Sequence, residues 1–480
     1  MKGKMKPGFF AKTVAVFFSV AVATSFAHSQ RTAGIAKASL DIENYGGGGN
    51  PYSVLMTIPS SCDTRGFAWQ TDSSAGSCSL TVESKGKKTR FEGETIQIKD
   101  PEISCHKAVA TGLAPGRYKY EIKSGNASAC GKFTVKAPGD DTVTIVNFSD
   151  AQTKDAGKLY VWENTCAVAS RRVGGADKVD FIINCGDHED RRFRNARSNV
   201  FDKFSEFTLW GIAVDTARPY FPDVPWIMAS GNHDHKIYRN VTAEKWALEK
   251  FGGCRSLDYG NVHVATIPWI LHRLDSNVER SLKWLEEDLA KAKRSKRINW
   301  IIVAMHMGPY TTGDNSANEK NMSDYVKRVG ALCSAQHVDL VLQGHDHTFS
   351  KTLPYRWDST GWTTLENDDK TVNLKVRKKR SDGKTWDYCP RGTYYVSIGC
   401  SGHRVGECGA WADINGTHSY WKRPWRVYAG KTIKGENASA DTGVPMFGII
   451  RIKGKKLTFG FYLANPDGSA SLHDELNIMK

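Results

Sequence analysis

The hydrophobic positions of the chain change their spacing at the segment Ala137-Pro138-Gly139. From Tyr52 to Val135, apolar and polar residues alternate in short runs that Gly, Ser, Asp and Pro separate. Alternation with a period of two predicts strands that bury one face, and a series of short strands predicts an antiparallel β-sandwich. Seven runs show this pattern: YSVLMTI, GFAWQT, CSLTVES, TIQI, HKAVATGL, RYKYEIKS and GKFTVKA.

Beyond this boundary, apolar runs of strand length alternate with helical segments, which predicts an α/β domain. The segment from Lys158 to Arg172 has a helical composition. Ser276 and Glu279 have the spacing of a capping box, and apolar residues at helical spacing follow them. The segment from Asn318 to Ser334 predicts a further, less regular helix.

Five apolar runs of this second domain stop at residue types that bind metal ions. The run KVDFIINC ends at Gly186, which permits a sharp turn, so that Asp187 projects from the end of the strand. In open α/β sheets the carboxyl ends of the strands share one edge, so we expect the five ends to converge. The other four runs end at Asp150, at Asn232 and His233, at His306, and at His345 and His347.

These endings combine carboxylate, amide and imidazole groups. Two cations that share one water can generate a hydroxide strong enough to attack phosphorus near neutral pH. Such a pair needs a bridging carboxylate together with neutral donors. Mixed oxygen and nitrogen ligands suit Fe, Zn or Mn, so the sequence predicts a site for two such ions.

The same segments resemble, in order, the five motifs of the calcineurin-like metallophosphoesterases. The segments SLKWLEEDLAKAK and HMGPYTTG are similar to the purple acid phosphatase-like branch, which often carries an N-terminal fibronectin type III-like domain. Tyr118 and Tyr120 resemble the tyrosine-bearing strand of that domain. The motifs read Asp150, Gly186-Asp187, Gly231-Asn232-His233-Asp234, Val303 to His306, and Gly344-His345-Asp346-His347.

The resemblance implies a two-domain fold. A fibronectin-like β-sandwich would span residues 51–137, and a four-layer αββα metallophosphoesterase domain would span residues 140–480. Within the second domain, residues 354–440 are rich in Trp, Lys and Gly, and we expect them to form an irregular rim around the site.

The resemblance also implies ligand sets and an activity. Asp187 would bridge the two ions, and His233 would stabilise the phosphate or protonate the leaving oxygen, with Asp234 orienting it. A metal-bridging hydroxide would then hydrolyse phosphate esters. The implied ligands of one ion are Asp150, Asp187 and His347, and those of the other are Asp187, Asn232, His306 and His345.

The chain departs from the family pattern at two positions. Gln152 stands where many relatives carry histidine or glycine, so it either binds a metal ion weakly or only lines the site. Asp190 replaces the tyrosine that colours purple enzymes, which predicts a protein that is not purple. His188 and Asp190 are candidate substitute ligands. Arg191 follows in a pattern similar to GDxxDR and is either a phosphate clamp or part of a solvated basic helix face.

Three functions remain open at this stage. The first is hydrolysis of small or polymeric phosphate esters. The sequence does not distinguish among monoester, diester and nucleotide substrates. The second is a phosphodiesterase or nucleotidase activity rather than a phosphomonoesterase activity. The third is a catalytically weak surface-binding protein. No specific nucleic-acid motif is present, and the sequence does not predict an oligomeric state.

The N-terminus predicts export to the periplasm or the medium. Lys2, Lys4 and Lys6 precede an apolar stretch that is too short to span a bilayer, and Ser25-Phe26-Ala27 resembles a cleavage site. We therefore expect a signal peptide over residues 1–27, a flexible entry over residues 28–50 and no transmembrane anchor. Eleven cysteines fit an oxidising compartment, and we expect disulfides. The formal net charge of +15 suits an anionic partner or a solvated basic surface.

Overall fold

The computed structural model of the chain describes most of the region between residues 50 and 480. The predicted signal peptide, most of the flexible entry, most of residues 354–440 and Arg191 lie outside the described residues. Within the described residues, no helix combines the length and the apolar character needed to cross a membrane. The described ranges are 38–42, 45–46, 50–72, 76–99, 102–137, 139–153, 156–190, 206–234, 254–268, 276–309, 322–352, 354–358, 361–364, 377–390, 392–403 and 444–480.

Eight strands between Tyr52 and Val135 form two antiparallel sheets of four strands each, in the orders β1-β2-β6-β5 and β4-β3-β7-β8. The two sheets share a hydrophobic cluster that includes Trp69, Leu80 and Phe133. The strands are β1 (Tyr52–Thr57), β2 (Arg65–Asp72), β3 (Cys78–Ser84), β4 (Lys87–Glu92), β5 (Glu94–Lys99), β6 (Glu102–Ala110), β7 (Gly116–Ser124) and β8 (Ala127–Val135).

Strand β4 was not predicted, because its sequence KKTRFE lacks the apolar half of the alternation. It is an edge strand that pairs with β3 and is exposed along most of its length. Tyr118 donates its hydroxyl to the carbonyl of Ala114 at 2.9 Å, a contact of the kind found in tyrosine corners. The specific likeness of this region to fibronectin type III domains stays a prediction.

From residue 139 onward, the residues that the structure describes form two larger sheets and a two-stranded ribbon, β17-β18. The sheet orders are β11-β10-β9-β22-β23-β24-β20-β19 and β12-β13-β14-β15-β21-β16. The strands are β9 (Thr142–Phe148), β10 (Phe181–Asn184), β11 (Trp226–Met228), β12 (Arg255–Tyr259), β13 (Val262–Thr266), β14 (Trp300–Ala304), β15 (Leu340–Gln343), β16 (Phe349–Lys351), β17 (Tyr355–Asp358), β18 (Gly361–Thr364), β19 (Arg377–Lys379), β20 (Thr385–Tyr388), β21 (Tyr394–Ile398), β22 (Met446–Lys453), β23 (Lys456–Ala464) and β24 (Ala470–Met479).

Four α-helices and two short 3-10 helices complete the described elements. Their bounds are α1 (Leu159–Val173), α2 (Glu206–Ala217), α3 (Ser276–Arg294) and α4 (Met322–Ala335), with the 3-10 helices at Ala156–Lys158 and Ala176–Lys178. Helices α1, α3 and α4 lie where the sequence predicted helices. Helix α2 was not predicted, because its sequence EFTLWGIAVDTA has no extended polar face.

The larger region has four layers, as expected. A hydrophobic cluster between the two sheets contains Ile145 and Ile183 from one sheet and Ile302 from the other. Helices α1 and α2 pack on the outer face of the eight-stranded sheet, and α3 and α4 pack on the outer face of the six-stranded sheet. The αββα arrangement is therefore confirmed.

Parallel pairing aligns the strand ends that carry the predicted ligands. Strands β9, β10 and β11 pair in parallel in one sheet, and β13, β14, β15 and β21 pair in parallel in the other. Each of these strands therefore ends at the same edge of its sheet as its parallel neighbours. The two edges lie together because the sheets pack face to face through one cluster.

The predicted disulfides are not found among the ten cysteines that the structure describes, all of which are free thiols. Several of these sulfurs make hydrogen bonds instead. The Sγ of Cys78 donates to the carbonyl of Glu94 at 3.4 Å, and the Sγ of Cys400 donates to the carbonyl of Asp150 at 2.9 Å.

His263 lies on β13 between two carboxylates. Its Nδ1 is 2.7 Å from Oδ1 of Asp258, and its Nε2 is 2.9 Å from Oδ2 of Asp288. Burial lowers the pKa of this imidazole, but the two carboxylates outweigh burial and raise the pKa to about 9. The charged ring therefore connects the edge strand β12 to helix α3.

Replacing His263 by Gln should lower the free energy of unfolding by about 2 kcal/mol near pH 6 and by less near pH 10. The folded pKa of about 9 lies above the unfolded value of 6.5. The stabilisation is thus complete below the unfolded pKa and is lost as the pH rises through the folded one. Urea unfolding of both proteins at the two pH values measures the difference, and an equal loss at both would show that the ring acts by packing alone.

Candidate metal centre

The structure brings the predicted ligands together at the carboxyl edge of the parallel strands. Two groups of buried side chains have potential ligand atoms that all lie within 4.8 Å of one another. Asp187 belongs to both groups and stands immediately beyond β10, where its carboxylate can be shared. The first group is Asp187, His306 and His345, and the second is Asp150, Asp187 and His347.

The backbone at these positions adopts conformations that side chains other than glycine rarely adopt. Asp150 and Asp187 both have φ of 53°, and His345 and His347 have φ of 73° and 53°. Left-handed conformations at such residues persist only where the surrounding structure holds them, and they are common at functional sites. The strain turns each side chain sharply off its strand and into the shared space.

Gly186 makes the turn after β10 possible. Its φ is +99°, and a Cβ atom there would lie 2.7 Å from the backbone nitrogen of Gly231 and 2.8 Å from Nδ1 of His306. A side chain at this position would therefore separate the Asp187 loop from two of the elements that supply ligands. The glycine is required for the close approach as well as for the dihedral angle.

Asn232 and His306 face the shared carboxylate. The Oδ1 of Asn232 lies 3.0 Å from Nε2 of His306 and 2.8 Å from Nδ1 of His345. The other nitrogen of His306, Nδ1, lies 2.7 Å from the carbonyl of Cys185, while Nε2 lies 3.2 Å from Oδ2 of Asp187. A carbonyl at Nδ1 favours a proton there, which leaves Nε2 able to bind a cation.

Asp150 is held by segments that are distant in the sequence. Its Oδ1 lies 3.2 Å from Nε2 of His347, and its carboxylate accepts hydrogen bonds from the hydroxyl of Ser149 and from the backbone nitrogen of His345. Its carbonyl accepts the backbone N–H of Gly402 at 3.2 Å. The loop after β21 thus supports the first ligand loop. Sequence reasoning missed this role, since the loop offered no signal beyond its glycines.

His233 pairs with Asp190, and the prediction that Asp234 orients it does not match the structure. The Nδ1 of His233 lies 2.5 Å from Oδ1 of Asp190, and its Nε2 lies 3.7 Å from Oδ2 of Asp187. The carboxylate of Asp234 turns under the loop instead. It accepts the backbone N–H groups of Asp187 at 2.9 Å, His188 at 3.0 Å and Gly231 at 2.7 Å. Asp234 therefore organises the loops.

The remaining candidate ligands lie beside the two groups. Gln152 donates from Nε2 to Oδ2 of Asp187 at 3.1 Å, and its Oε1 is buried without a hydrogen-bond partner. His188 places Nδ1 3.3 Å from Oδ2 of Asp234, and neither His188 nor Asp190 is part of the two groups. Gln152 thus contacts the shared carboxylate, whereas His188 contacts the carboxylate of Asp234.

The charges at the site are strongly coupled. Burial raises the pKa of Asp187, but the imidazoles of His306 and His233 outweigh burial and hold that pKa well below its usual value. Burial lowers the pKa of His306, but the Asp187 carboxylate outweighs it and raises the pKa to about 9. Burial, and then the charge of His306, lowers the pKa of His345 well below its usual value. A cation and a proton on His306 would therefore compete for the same carboxylate.

These residues fit a pair of metal ions. Two buried donor sets share one carboxylate, and they combine anionic oxygen atoms with imidazole nitrogen and amide oxygen atoms. That mixture suits borderline transition metals, and buried groups of this polarity need a compensating charge. Asp150, Asp187 and His347 would hold one ion, and Asp187, Asn232, His306 and His345 the other.

Residues 143–349 match the family model described as calcineurin-like phosphoesterase. The matched stretch contains all the ligand groups described above, so the αββα region carries a calcineurin-like phosphoesterase domain. The site, the fold and this match agree on the class of residues 143–349, which is that of the calcineurin-like phosphoesterases.

Purple acid phosphatases are among the proteins that the chain resembles. Purple acid phosphatase 18 of Arabidopsis thaliana is 23% identical over 242 residues, which cover 44% of this chain and 48% of that protein. An uncharacterized protein of Mycobacterium tuberculosis is 25% identical over 376 residues, which cover 70% of this chain and 66% of that protein. The chain therefore spans between about half and two thirds of the length of these relatives.

A solved structure of a purple acid phosphatase, PPD1 from yellow lupin (Lupinus luteus) seeds, has the same fold. The TM-score is 0.64 at 16% sequence identity, and the match covers 90% of this chain and 74% of that chain. At this identity the likeness establishes the fold alone. The chain is thus a protein of purple acid phosphatase-like fold with a phosphoesterase domain.

Metal loading should release protons from the metal-free protein. His306 has a pKa of about 9 and must lose its proton before Nε2 can bind a cation. We expect the release of about one proton near pH 7.5 and an apparent affinity that increases about tenfold per pH unit up to the pKa. Calorimetric titration with zinc in buffers of different ionisation enthalpy counts the protons, and binding independent of pH would contradict the role of His306.

Proposed function

We propose that this protein is an exported phosphoesterase that hydrolyses phosphate esters at a centre of two metal ions. The observation that carries the proposal is the pair of buried ligand groups that share Asp187. The names of the relatives, which include purple acid phosphatases and an acid phosphatase of Homo sapiens, support a phosphate ester as the substrate. The basic N-terminus with its apolar stretch supports export.

The bound ions would act as Lewis acids that neutralise the phosphate and lower the barrier to its hydrolysis. The chain contributes the position of each ligand. The backbone N–H of His233 donates to Oδ1 of Asp187 at 2.8 Å. This hydrogen bond holds one oxygen of the shared carboxylate in place. The carbonyl of Cys185 fixes the ring of His306. Because these partners are buried backbone groups, the ligands need little rearrangement to accept the ions.

We assign the transfer of a proton to His233. Its Nε2 lies 3.7 Å from Oδ2 of Asp187, beside the candidate metal centre, and its Nδ1 lies 2.5 Å from Oδ1 of Asp190. A carboxylate on one imidazole nitrogen fixes the ring and its tautomer, which lets the other nitrogen donate to a leaving oxygen. We assign the orienting role to Asp190. The expectation that the protein is not purple rests on a carboxylate, rather than a tyrosine, at this position. It stays a prediction.

Exchange of single site residues should abolish hydrolysis of nitrophenyl phosphate. Asp187→Asn removes the charge that both ligand groups share, and His306→Ala removes a ligand, so each should lower kcat/KM by at least about 100-fold in the presence of Mn, Zn or Fe. The matched control is His106→Gln, since His106 is a buried histidine of the N-terminal sheets that bonds to Thr71 and Thr95.

The same assay with the bis-ester separates phosphomonoesterase from phosphodiesterase activity. Wild-type protein that hydrolyses neither substrate with any of the three metals would overturn the proposal in favour of a binding protein. Equal activity of Asp187→Asn and wild type would overturn the assignment of the site.

Asp190 and Asp234 should behave differently when each is replaced by Asn. Asp190→Asn should lower kcat by about 10- to 100-fold, because it weakens the contact that orients His233, and it should change thermal stability less than Asp234→Asn does. Asp234→Asn should lower stability and metal content, since it weakens the acceptor of three backbone N–H groups. Steady-state kinetics and thermal unfolding of both variants make the comparison, and a reversed pattern would restore Asp234 as the partner of His233.

A further inference from the structure

We propose that the N-terminal sheets position the metal-binding loops through helix α2, so that they form part of the support of the site rather than a separate docking module. The proposal rests on the metal centre described under the proposed function. It follows from a series of contacts that runs from strand β1, across α2, to the loop that carries Asp187.

Helix α2 and strand β1 approach each other at the backbone of Gly211. A Cβ atom on Gly211 would lie 2.7 Å from Oγ and 2.8 Å from Cβ of Ser53, and 2.9 Å from the hydroxyl of Tyr45. The contact therefore has no room for a methyl group. Ser53 itself has φ of 52°, a conformation that the surrounding contacts must hold. Such close packing makes the position of the helix sensitive to the position of the strand.

A buried acceptor fixes the same contact one helical turn later. The Oδ2 of Asp215 accepts the backbone N–H of Ser53 and the hydroxyl of Tyr45, both at 2.7 Å. Gly211 and Asp215 are four residues apart, so they lie on one face of the helix. Strand β1 thus holds α2 by a steric contact and by the hydrogen bond from Ser53, and Tyr45, in the segment before β1, adds the second hydrogen bond. Hydrogen bonds to a carboxylate are stronger than those between neutral groups.

The preceding residues of α2 contact the metal-binding loops. The ring of Trp210 lies 5.6 Å from the ring of His188, which follows Asp187 directly. The carbonyl of Leu209 accepts the hydroxyl of Thr153 at 3.5 Å, and that hydroxyl also lies 3.1 Å from the carbonyl of His188. Helix α2 therefore contacts both the loop of Asp150 and the loop of Asp187.

His188 connects the helix to the organising carboxylate. Its Nδ1 lies 3.3 Å from Oδ2 of Asp234, the atom that also accepts the backbone N–H groups of Asp187 and Gly231. A displacement of Trp210 would therefore act on the group that holds the turn of the shared ligand. Loops in such strained conformations depend on all their supports.

The sheets make a second contact with the same unit of the fold. The hydroxyl of Tyr120 donates to Oδ1 of Asp223 at 2.6 Å, and the backbone N–H of Lys132 donates to Oδ2 at 3.0 Å. Asp223 lies between α2 and β11, the strand that leads to Asn232. The N-terminal sheets thus contact both α2 and the segment that leads from α2 through β11 to Asn232.

Gly211→Ala in the full-length protein tests the proposal. Alanine favours a helix more than glycine does, so any loss comes from the new contact with Ser53. We expect metal-free protein to bind cobalt(II) about tenfold more weakly than wild type. We also expect the backbone amides of Asp187 and His188 to exchange hydrogen about tenfold faster. Visible absorption during a cobalt titration and hydrogen exchange give the two readouts.

Arg255→Gln is the matched control. Arg255 lies on β12 and donates to the carbonyl of Ile58 at 2.8 Å, so it joins the same N-terminal sheets to the other large sheet, away from α2. This variant should keep the wild-type cobalt affinity and the wild-type exchange at both amides. Equal changes in the two variants would show general destabilisation and overturn the proposal, as would unchanged readouts in Gly211→Ala.

Two further measurements keep the test decisive. If Gly211→Ala does not fold, Tyr120→Phe removes the hydrogen bond from strand β7 to Asp223 without added volume and should change both readouts by about threefold. If wild-type protein binds no cobalt, the proposed metal centre fails, whereas the exchange of Asp187 and His188 still decides whether the sheets position the loop.

Discussion

The candidate metal centre of the αββα region depends on one buried carboxylate, that of Asp187. A charge in such a place is unfavourable unless hydrogen bonds and opposite charges surround it. The backbone N–H of His233 and the amide of Gln152 donate to it, and the ring of His306 lies against it. The left-handed turn at Asp187 and the glycine before it place the carboxylate there, at a cost in backbone strain that these contacts offset. The arrangement therefore favours function over local stability.

The convergence of the ligands was predictable from the sequence, because parallel strands that are buried on both faces appear as apolar runs. Strands β9, β10, β14 and β15 are buried along almost their whole length, and each appears in the sequence as a nearly continuous apolar run that ends at a ligand. Parallel pairing then requires the ends to meet. Among the elements missed, β4 and α2 show why the hydrophobic pattern can fail to indicate the environment of a segment. One is an exposed polar edge strand, and the other is a helix without an extended polar face.

The partner of His233 could not be predicted, because one carboxylate lies next to it in the sequence and another lies next to it in space. Asp234 is its neighbour in the sequence, and Asp190 is its neighbour in space. The left-handed turn after β10 decides between them, since it brings Asp190 to the ring while Asp234 turns toward backbone N–H groups. Residue types fix the chemistry available to a site, whereas turn geometry distributes the roles among residues of the same type.

The hydrophobic pattern of the sequence changes at residue 137, but the packing of the hydrophobic core continues across it. The N-terminal sheet that contains β1 buries both faces, because Val54 and Met56 face the other N-terminal sheet, and Leu55 and Ala68 belong to the cluster of Trp162 and Trp210. A strand whose two faces lie in different cores carries apolar residues on both faces, as the consecutive residues Val54, Leu55 and Met56 of β1 do. Because one hydrophobic cluster crosses the boundary, the two regions share part of the free energy of folding. An independent domain would instead present a polar face at this position, so the apolar residues on both faces of β1 indicate its contact with the αββα region.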